Sequence, residues 1–74
     1  MKKLLLLGGS SYLLPAIECA HKLGVYVITC DYLPDNIAHQ YSDEYRNVSI
    51  IDKAVVLALA KELQVDGIMS KVRK

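Results

Sequence analysis

The chain predicts an α/β fold in which four parallel strands alternate with helices, and three observations carry that prediction. An apolar run of four leucines over residues 4–7 stops abruptly at Gly8-Gly9-Ser10-Ser11-Tyr12, which reads as a buried strand feeding a helix through a tight loop. Residues 25–30 are almost continuously apolar and β-branched, the pattern of a strand covered on both faces. Val55, Val56, Leu59, Ala60 and Leu63 fall at helical spacing behind Asp52, so a second full helix follows. Strands separated by helices pair in parallel through right-handed crossovers. The result is a Rossmann-like three-layer unit with a four-stranded parallel sheet in the order 3-2-1-4.

Each element has its own local reason. The first helix is expected to begin near Ser11 or Tyr12, with Ser10 or Ser11 as cap and Pro15 in the first turn, where its missing N–H costs little. Leu13, Ala16, Ile17, Ala20 and Leu23 recur at helical spacing and make the face toward the sheet. Glu18 and Lys22 stand four apart on the polar side, and Gly24 supplies a left-handed stop. Pro34 and Asp35-Asn36 make a loop. A short helix is expected over 37–42, and a third strand over 45–50 with Val48 and Ile50 on one face. Asp52 caps the second helix, and residues 65–70 are the fourth strand. The tail 71–74, Lys-Val-Arg-Lys, reads as a solvated end.

Size and charge bound what this unit can do. Seventy-four residues make one domain at most, and such a chain buries only roughly 60% of its unfolded surface. With 53% hydrophobic and 23% charged residues the composition is globular. A net charge of +1 gives no basic field for nucleic acid and no acidic one for cations. Cys19 and Cys30 lack metal or redox spacing and are expected to be buried thiols in a reducing cytoplasm. Lys2-Lys3 before four leucines imitates a secretory signal, but Gly8 to Ser11 break the apolar run too early. No stretch approaches the roughly 20 apolar residues of a membrane helix.

In open parallel sheets, ligands bind beyond the carboxyl ends of the strands. The best such end is the 8–12 loop, because free N–H groups at a helix start beside glycines form an anion site. Gly8, Gly9, Ser10, Ser11 and Tyr12 are therefore candidate substrate-binding residues. The same loop also reads as a turn that binds nothing, and the residues leave both open. Asp31 closes the second strand where nucleotide folds place a ribose-binding carboxylate. It could accept from substrate hydroxyls or cap the following turn with its own side chain. The dinucleotide pattern G-x-G-x-x-G is not met, since Ser10 and Leu13 stand where the later glycines should be. His21 is expected to be solvated and His39 to be structural, although His39 could line a site. The five tyrosines are expected to serve as aromatic packing. No nucleophile–base pair, carboxylate dyad or metal cluster can be drawn, so no catalytic and no metal residues are assigned.

Several pieces in order and spacing resemble one family. Lys2-Lys3-Leu4-Leu5-Leu6-Leu7-Gly8-Gly9-Ser10, residues 13–24, Val27-Ile28-Thr29-Cys30-Asp31, Ile37-Ala38-His39-Gln40-Tyr41-Ser42-Asp43, Asp52 and Asp66-Gly67-Ile68 look like the opening of ATP-grasp ligases. The match is to their amino-terminal, pre-ATP-grasp domain, as in carbamoyl phosphate synthase large subunit and the purine-pathway carboxylases and formyltransferases. The resemblance implies the following parent enzyme. It would activate a carboxylate as an acyl phosphate, with ATP and magnesium bound in later domains, and its glycine turn would hold a small-molecule acceptor, often through a phosphate. Purine-pathway members often carry Glu or Gln before Leu in the first turn, where this chain has Tyr12-Leu13, which speaks against a ribonucleotide. Residues 71–74 do not continue the family pattern, so the unit 1–74 reads as a truncated pre-ATP-grasp domain.

The function expected is therefore the substrate-side domain of an ATP-dependent carboxylate–amine ligase. Alone it should be inactive and hold no cofactor. It should work with an ATP-grasp domain in cis or trans, away from nucleic acid and membrane, and self-associate as a homodimer. A different class of reading is a stand-alone module that binds a small anion or a partner. A third, a fragment of a nicotinamide-dependent oxidoreductase, is disfavoured by the missing glycine.

Overall fold

A computed structural model describes residues 1–70; the tail 71–74, expected to be a solvated end, lies outside the described residues. The strands are β1 (Lys3–Leu7), β2 (Tyr26–Asp31), β3 (Glu44–Asn47) and β4 (Gly67–Ser70), and the helices are α1 (Leu14–Lys22) and α2 (Lys53–Leu63). They form one four-stranded sheet in the order β3-β2-β1-β4, with every pairing parallel. The expected topology holds. Two 3-10 helices, Ser11–Leu13 and Ile37–Gln40, lead into α1 and span part of the β2–β3 crossover.

The apolar strands are covered on both sides because successive side chains point to opposite faces. Leu6 and Val27 pack with Leu13, Ile17 and Ala20 on the α1 side, where Ala38 joins them. Leu5, Ile28 and Cys30 pack with Val56, Leu59 and Ala60 on the α2 side. On β2 the residues facing the α1 side are Val27, Thr29 and Asp31, so two polar groups lie buried at the carboxyl end of an otherwise apolar strand. Asp52 caps α2 by accepting the Val55 N–H at 3.2 Å. Gly24 takes the left-handed φ of +74° that ends the turn after α1.

Several local expectations are corrected. Ser10 occupies the cap position before Ser11–Leu13, but its side chain makes no capping bond, and α1 proper starts later, with Pro15 in its first turn. Leu23 is 76% exposed and Val55 is exposed too, so neither belongs to a core face; each lies at the rim of its stripe. β3 ends earlier than expected, because β2 itself ends at Asp31 and the last bond between them runs from Val48 N to the Asp31 carbonyl, although Val48 and Ile50 still pack against the α2-side core. Cys19 is exposed on α1 and only Cys30 is buried. Burial, with Asp31 adjacent, pushes the Cys30 thiol up to about 11. Tyr12, Tyr32 and Tyr41 are exposed rather than packed, while Tyr26 and Tyr45 spend their hydroxyls on Glu44 and on the Asp31 carbonyl. His21 is not merely solvated: its Nε2 lies 2.8 Å from Asp43 Oδ2.

Candidate functional site

Parallel register brings the carboxyl ends of all four strands to one side of the sheet. Leu7 sits opposite Cys30 and Ser70, and Asp31 opposite Asn47. The 8–12 loop and Asp31 therefore meet at the centre of that side. Gly8 donates its N–H to the Cys30 carbonyl at 2.8 Å, extending the β1–β2 ladder by one residue. Its φ of +120° then turns the chain off the sheet in a conformation that only glycine adopts readily. Ser10 is extended, its carbonyl accepts from Leu13 N at 3.1 Å, and Ser11 and Tyr12 are exposed at the rim.

Gly9 has a different role from that expected of a ligand-facing glycine. A Cβ placed there would lie 2.6 Å from His39 Nε2 and 2.7 Å from both Asp31 Oδ2 and Asn36 Cβ. Its carbonyl accepts from Ala38 N at 3.0 Å. Gly9 is thus a packing glycine, which lets the β1–α1 loop lie directly on the β2–β3 crossover.

Beneath it is a buried polar cluster centred on Asp31. Asp31 Oδ1 accepts from Leu33 N at 2.9 Å and lies 2.8 Å from His39 Nε2, and Oδ2 accepts from Asn36 Nδ2 at 2.7 Å. His39 Nδ1 lies 2.7 Å from Thr29 Oγ1, which in turn lies 2.8 Å from Ser42 Oγ. Tyr45 closes the cluster, with its ring 4.0 Å from the His39 ring. Burial raises the Asp31 pKa, but hydrogen bonds from His39, Asn36 and the Leu33 amide outweigh it and hold the carboxyl below its ordinary value. Among the described residues no buried side-chain polar atom lacks a partner, which is what keeps such a network from costing stability.

The structure thus brings Gly8, Gly9, Ser10 and Asp31 together and leaves Ser11 and Tyr12 at the edge. Asp31 makes the turn-capping bond that was one of its two readings. Sequence reasoning missed the convergence of Thr29, Asn36, His39, Ser42 and Tyr45. The available signal was a hydroxyl inside an apolar strand, two residues before its terminal carboxylate, with a histidine in the crossover that must pass over the same strand end. Among the described residues no three His, Cys, Asp or Glu side chains converge as metal ligands, and no helix is long and apolar enough to cross a membrane. An open cleft of about 540 Å³ runs along α1 between Leu14, Ile17, His21 and Tyr41. We place the candidate site at the strand ends instead, because only there do glycine-shaped backbone and oriented polar groups meet.

No family model matches the chain, and no curated protein does. Solved structures do. N5-carboxyaminoimidazole ribonucleotide synthetase from Thermotoga maritima matches with a TM-score of 0.83 and 29% identity, over 97% of this chain and 19% of that one. The chain is also similar to a glycinamide-RNase-transformylase T from Mycobacterium tuberculosis, with a TM-score of 0.87 and 24% identity over 96% of this chain and 20% of that one. A third neighbour, N5-carboxyaminoimidazole synthetase from Staphylococcus aureus complexed with ADP, has a TM-score of 0.81 and 18% identity, over 95% of this chain and 18% of that one. The shared part is the α/β fold. This chain spans about a fifth of the length of those proteins, at 20%, 19% and 18%. The Bordetella bronchiseptica enzyme WbmH in complex with NAD+ shares the fold more loosely, with a TM-score of 0.67 and 22% identity over all of this chain and 26% of that one.

Proposed function

We propose that the chain is the substrate-side, amino-terminal domain of an ATP-dependent carboxylate–amine ligase of the ATP-grasp type, inactive by itself. The observation that carries this reading is the likeness to the Thermotoga maritima synthetase along 97% of the chain, which agrees with the order and spacing of motifs from Lys2 to Ile68. The finer likeness to carbamoyl phosphate synthase large subunit rests on those motifs alone. In this reading Gly8, Gly9, Ser10, Ser11 and Tyr12 form the loop that meets a small, often phosphorylated acceptor. Gly8 shapes the turn, Gly9 seats it, and the free N–H groups ahead of α1 face the ligand. Asp31 positions that loop from below through His39 and Asn36. The parent enzyme is proposed to be cytoplasmic, where two free cysteines stay reduced.

ATP and magnesium belong to other domains of the parent in this reading. The chain contains no G-x-x-x-x-G-K-[ST] segment, and its described residues supply no acidic set to hold magnesium against phosphates. The described residues do not fit a nucleotide–metal site.

Phosphate titration followed by amide NMR tests the site. The amides of Gly9, Ser10, Ser11 and Tyr12 should shift before any others, and unmoved amides at saturating phosphate would refute the binding role. Calorimetry supplies the second arm: ATP should bind no better than phosphate, with or without magnesium. Tight magnesium-dependent ATP binding would make the chain a different domain of the ligase from the one proposed.

A further inference from the structure

We propose that His39 is a proton-operated latch, which in its doubly protonated form clamps the β2–β3 crossover and the Gly9 backbone onto the carboxyl end of β2. The side chains of Asp31 and His39 are only 7% and 4% exposed and meet at 2.8 Å, so a charge on either is felt at low local dielectric. The ring is held at both nitrogens. Nε2 faces Asp31 Oδ1, and Nδ1 faces Thr29 Oγ1, the first of a chain of hydroxyls that runs to Ser42 Oγ and on to the Glu44 carbonyl at 3.1 Å.

Proton counting shows why two states are built in. With both ring nitrogens protonated, Nε2–H donates to Asp31 and Nδ1–H to Thr29 Oγ1. Thr29 then donates to Ser42 Oγ, and Ser42 to the Glu44 carbonyl. Every proton has an acceptor, and the Asp31 charge has a counter-charge. With the Nδ1 proton gone, Thr29 must turn round and donate to Nδ1. Ser42 has one proton for three acceptors, Thr29 Oγ1, the Glu44 carbonyl and, at 3.4 Å, the His39 carbonyl, so a bond to Thr29 Oγ1 is made at the expense of its bonds to the crossover backbone. Asp31 meanwhile loses the positive charge beside it. The chain crosses from β2 to β3, so its reversal is felt where the crossover joins the sheet.

The groups around the ring are few. From β2 it meets Asp31 and Thr29, from β3 the ring of Tyr45, from the preceding loop Asn36, and from the β1–α1 loop the Gly9 backbone. Asp35 is exposed on that preceding loop, and Cys30 points to the opposite, α2 face. A second histidine, His21, bonds Asp43 on the outside of the same crossover and must be controlled for. Thr29 is fully buried, so the Asp–His–Thr order has no access to a substrate and is not a nucleophile. The latch stands whether or not the 8–12 loop binds an anion.

The test is imidazole ¹⁵N NMR of His39 in the full chain from pH 5 to 8, the window in which histidines change charge, together with amide exchange. The reporters are the Ala38 amide, bonded to Gly9 O, and the Ser42 amide, bonded to Ala38 O, with the Val56 amide in α2 as internal reference. As the ring loses its second proton, protection of Ala38 and Ser42 relative to Val56 should fall about tenfold, the size of one hydrogen bond to a charged group. His21→Gln should keep that dependence and His39→Gln should abolish it. Should His39→Gln fail to fold, Thr29→Val decides, since it keeps the Asp31 contact and removes the hydroxyl chain: the dependence at Ser42 must shrink. A ring whose charge stays constant across this range, a ring that titrates without moving Ala38 and Ser42, or an unchanged dependence in Thr29→Val would each overturn the latch.

Discussion

The two edges of the sheet are built on opposite principles. On the β3 side nearly every attachment is polar. Asp43 accepts from Val27 N while its own amide donates to Val27 O, Glu44 takes bonds from Tyr26 and Arg46, and Val48 N reaches Asp31 O. The β4 side is tied to β1 through Asp66, which bonds the Lys3 backbone in both directions, and through Lys3 Nζ on the Leu63 carbonyl. Beyond those bonds and the backbone ladder of Leu4–Leu7 with Gly67–Ser70, its side chains are mainly apolar, and Ile68 and Met69 are 43% and 44% exposed. A charged edge resists pairing with another chain, whereas an apolar edge invites it. The comparison teaches that the β3 half is specified from within by hydrogen bonds, while the β4 half presents a surface suited to being covered.

The largest expected effect breaks the β3 half at its centre. Gly9→Val puts a branched side chain where His39, Asp31 and Asn36 already lie within 2.7 Å of the first added carbon. Overpacking of this kind costs about 3 kcal/mol, a large part of the stability of so small a domain. Thermal unfolding should show a drop of many degrees. An unchanged midpoint together with lost phosphate binding would instead make Gly9 a ligand-facing residue.

Acid should separate the two halves next. Three carboxyls in the β2–β3 region have lowered pKa values: Asp31 and Asp43, where hydrogen bonds outweigh burial, and Glu44, where Arg46 and then Tyr26 stabilise the anion. A depressed carboxylate contributes stability that is present above its unfolded value, about 4, and is lost as pH falls through the folded value. Amides of residues 37–48 are therefore expected to lose exchange protection below about pH 4 before those of α2 and the β1–β4 pair. Simultaneous loss everywhere would mean that the two halves are one cooperative unit.

The smallest effect sharpens the view of the other edge. Sedimentation should show dimers at micromolar concentration, and Met69→Lys should reduce that association with a smaller effect on the unfolding midpoint, because Met69 lies outside the buried core. A clean monomer at high concentration would remove the reason for calling this edge adhesive.

What the chain determined by itself is the periodic part. Runs of leucine, valine and isoleucine at spacings of two and 3.6 need no distant partner to be read, so the four strands, both helices and Asp52 as a cap follow from local pattern, and the order 3-2-1-4 from the Rossmann-like topology which that pattern suggests. The 8–12 turn was legible for the same reason, since its glycines interrupt a strand. Tertiary structure alone decided which polar groups meet. Thr29, Asp31, Asn36, His39 and Ser42 become neighbours only when the crossover folds back over the strand end. Leu23 and Val55 obey the helical period yet remain outside, because burial depends on where a helix ends relative to the sheet. Local pattern selects an element and its apolar face; the identity of a contact across the sheet depends on packing that no short stretch of sequence contains.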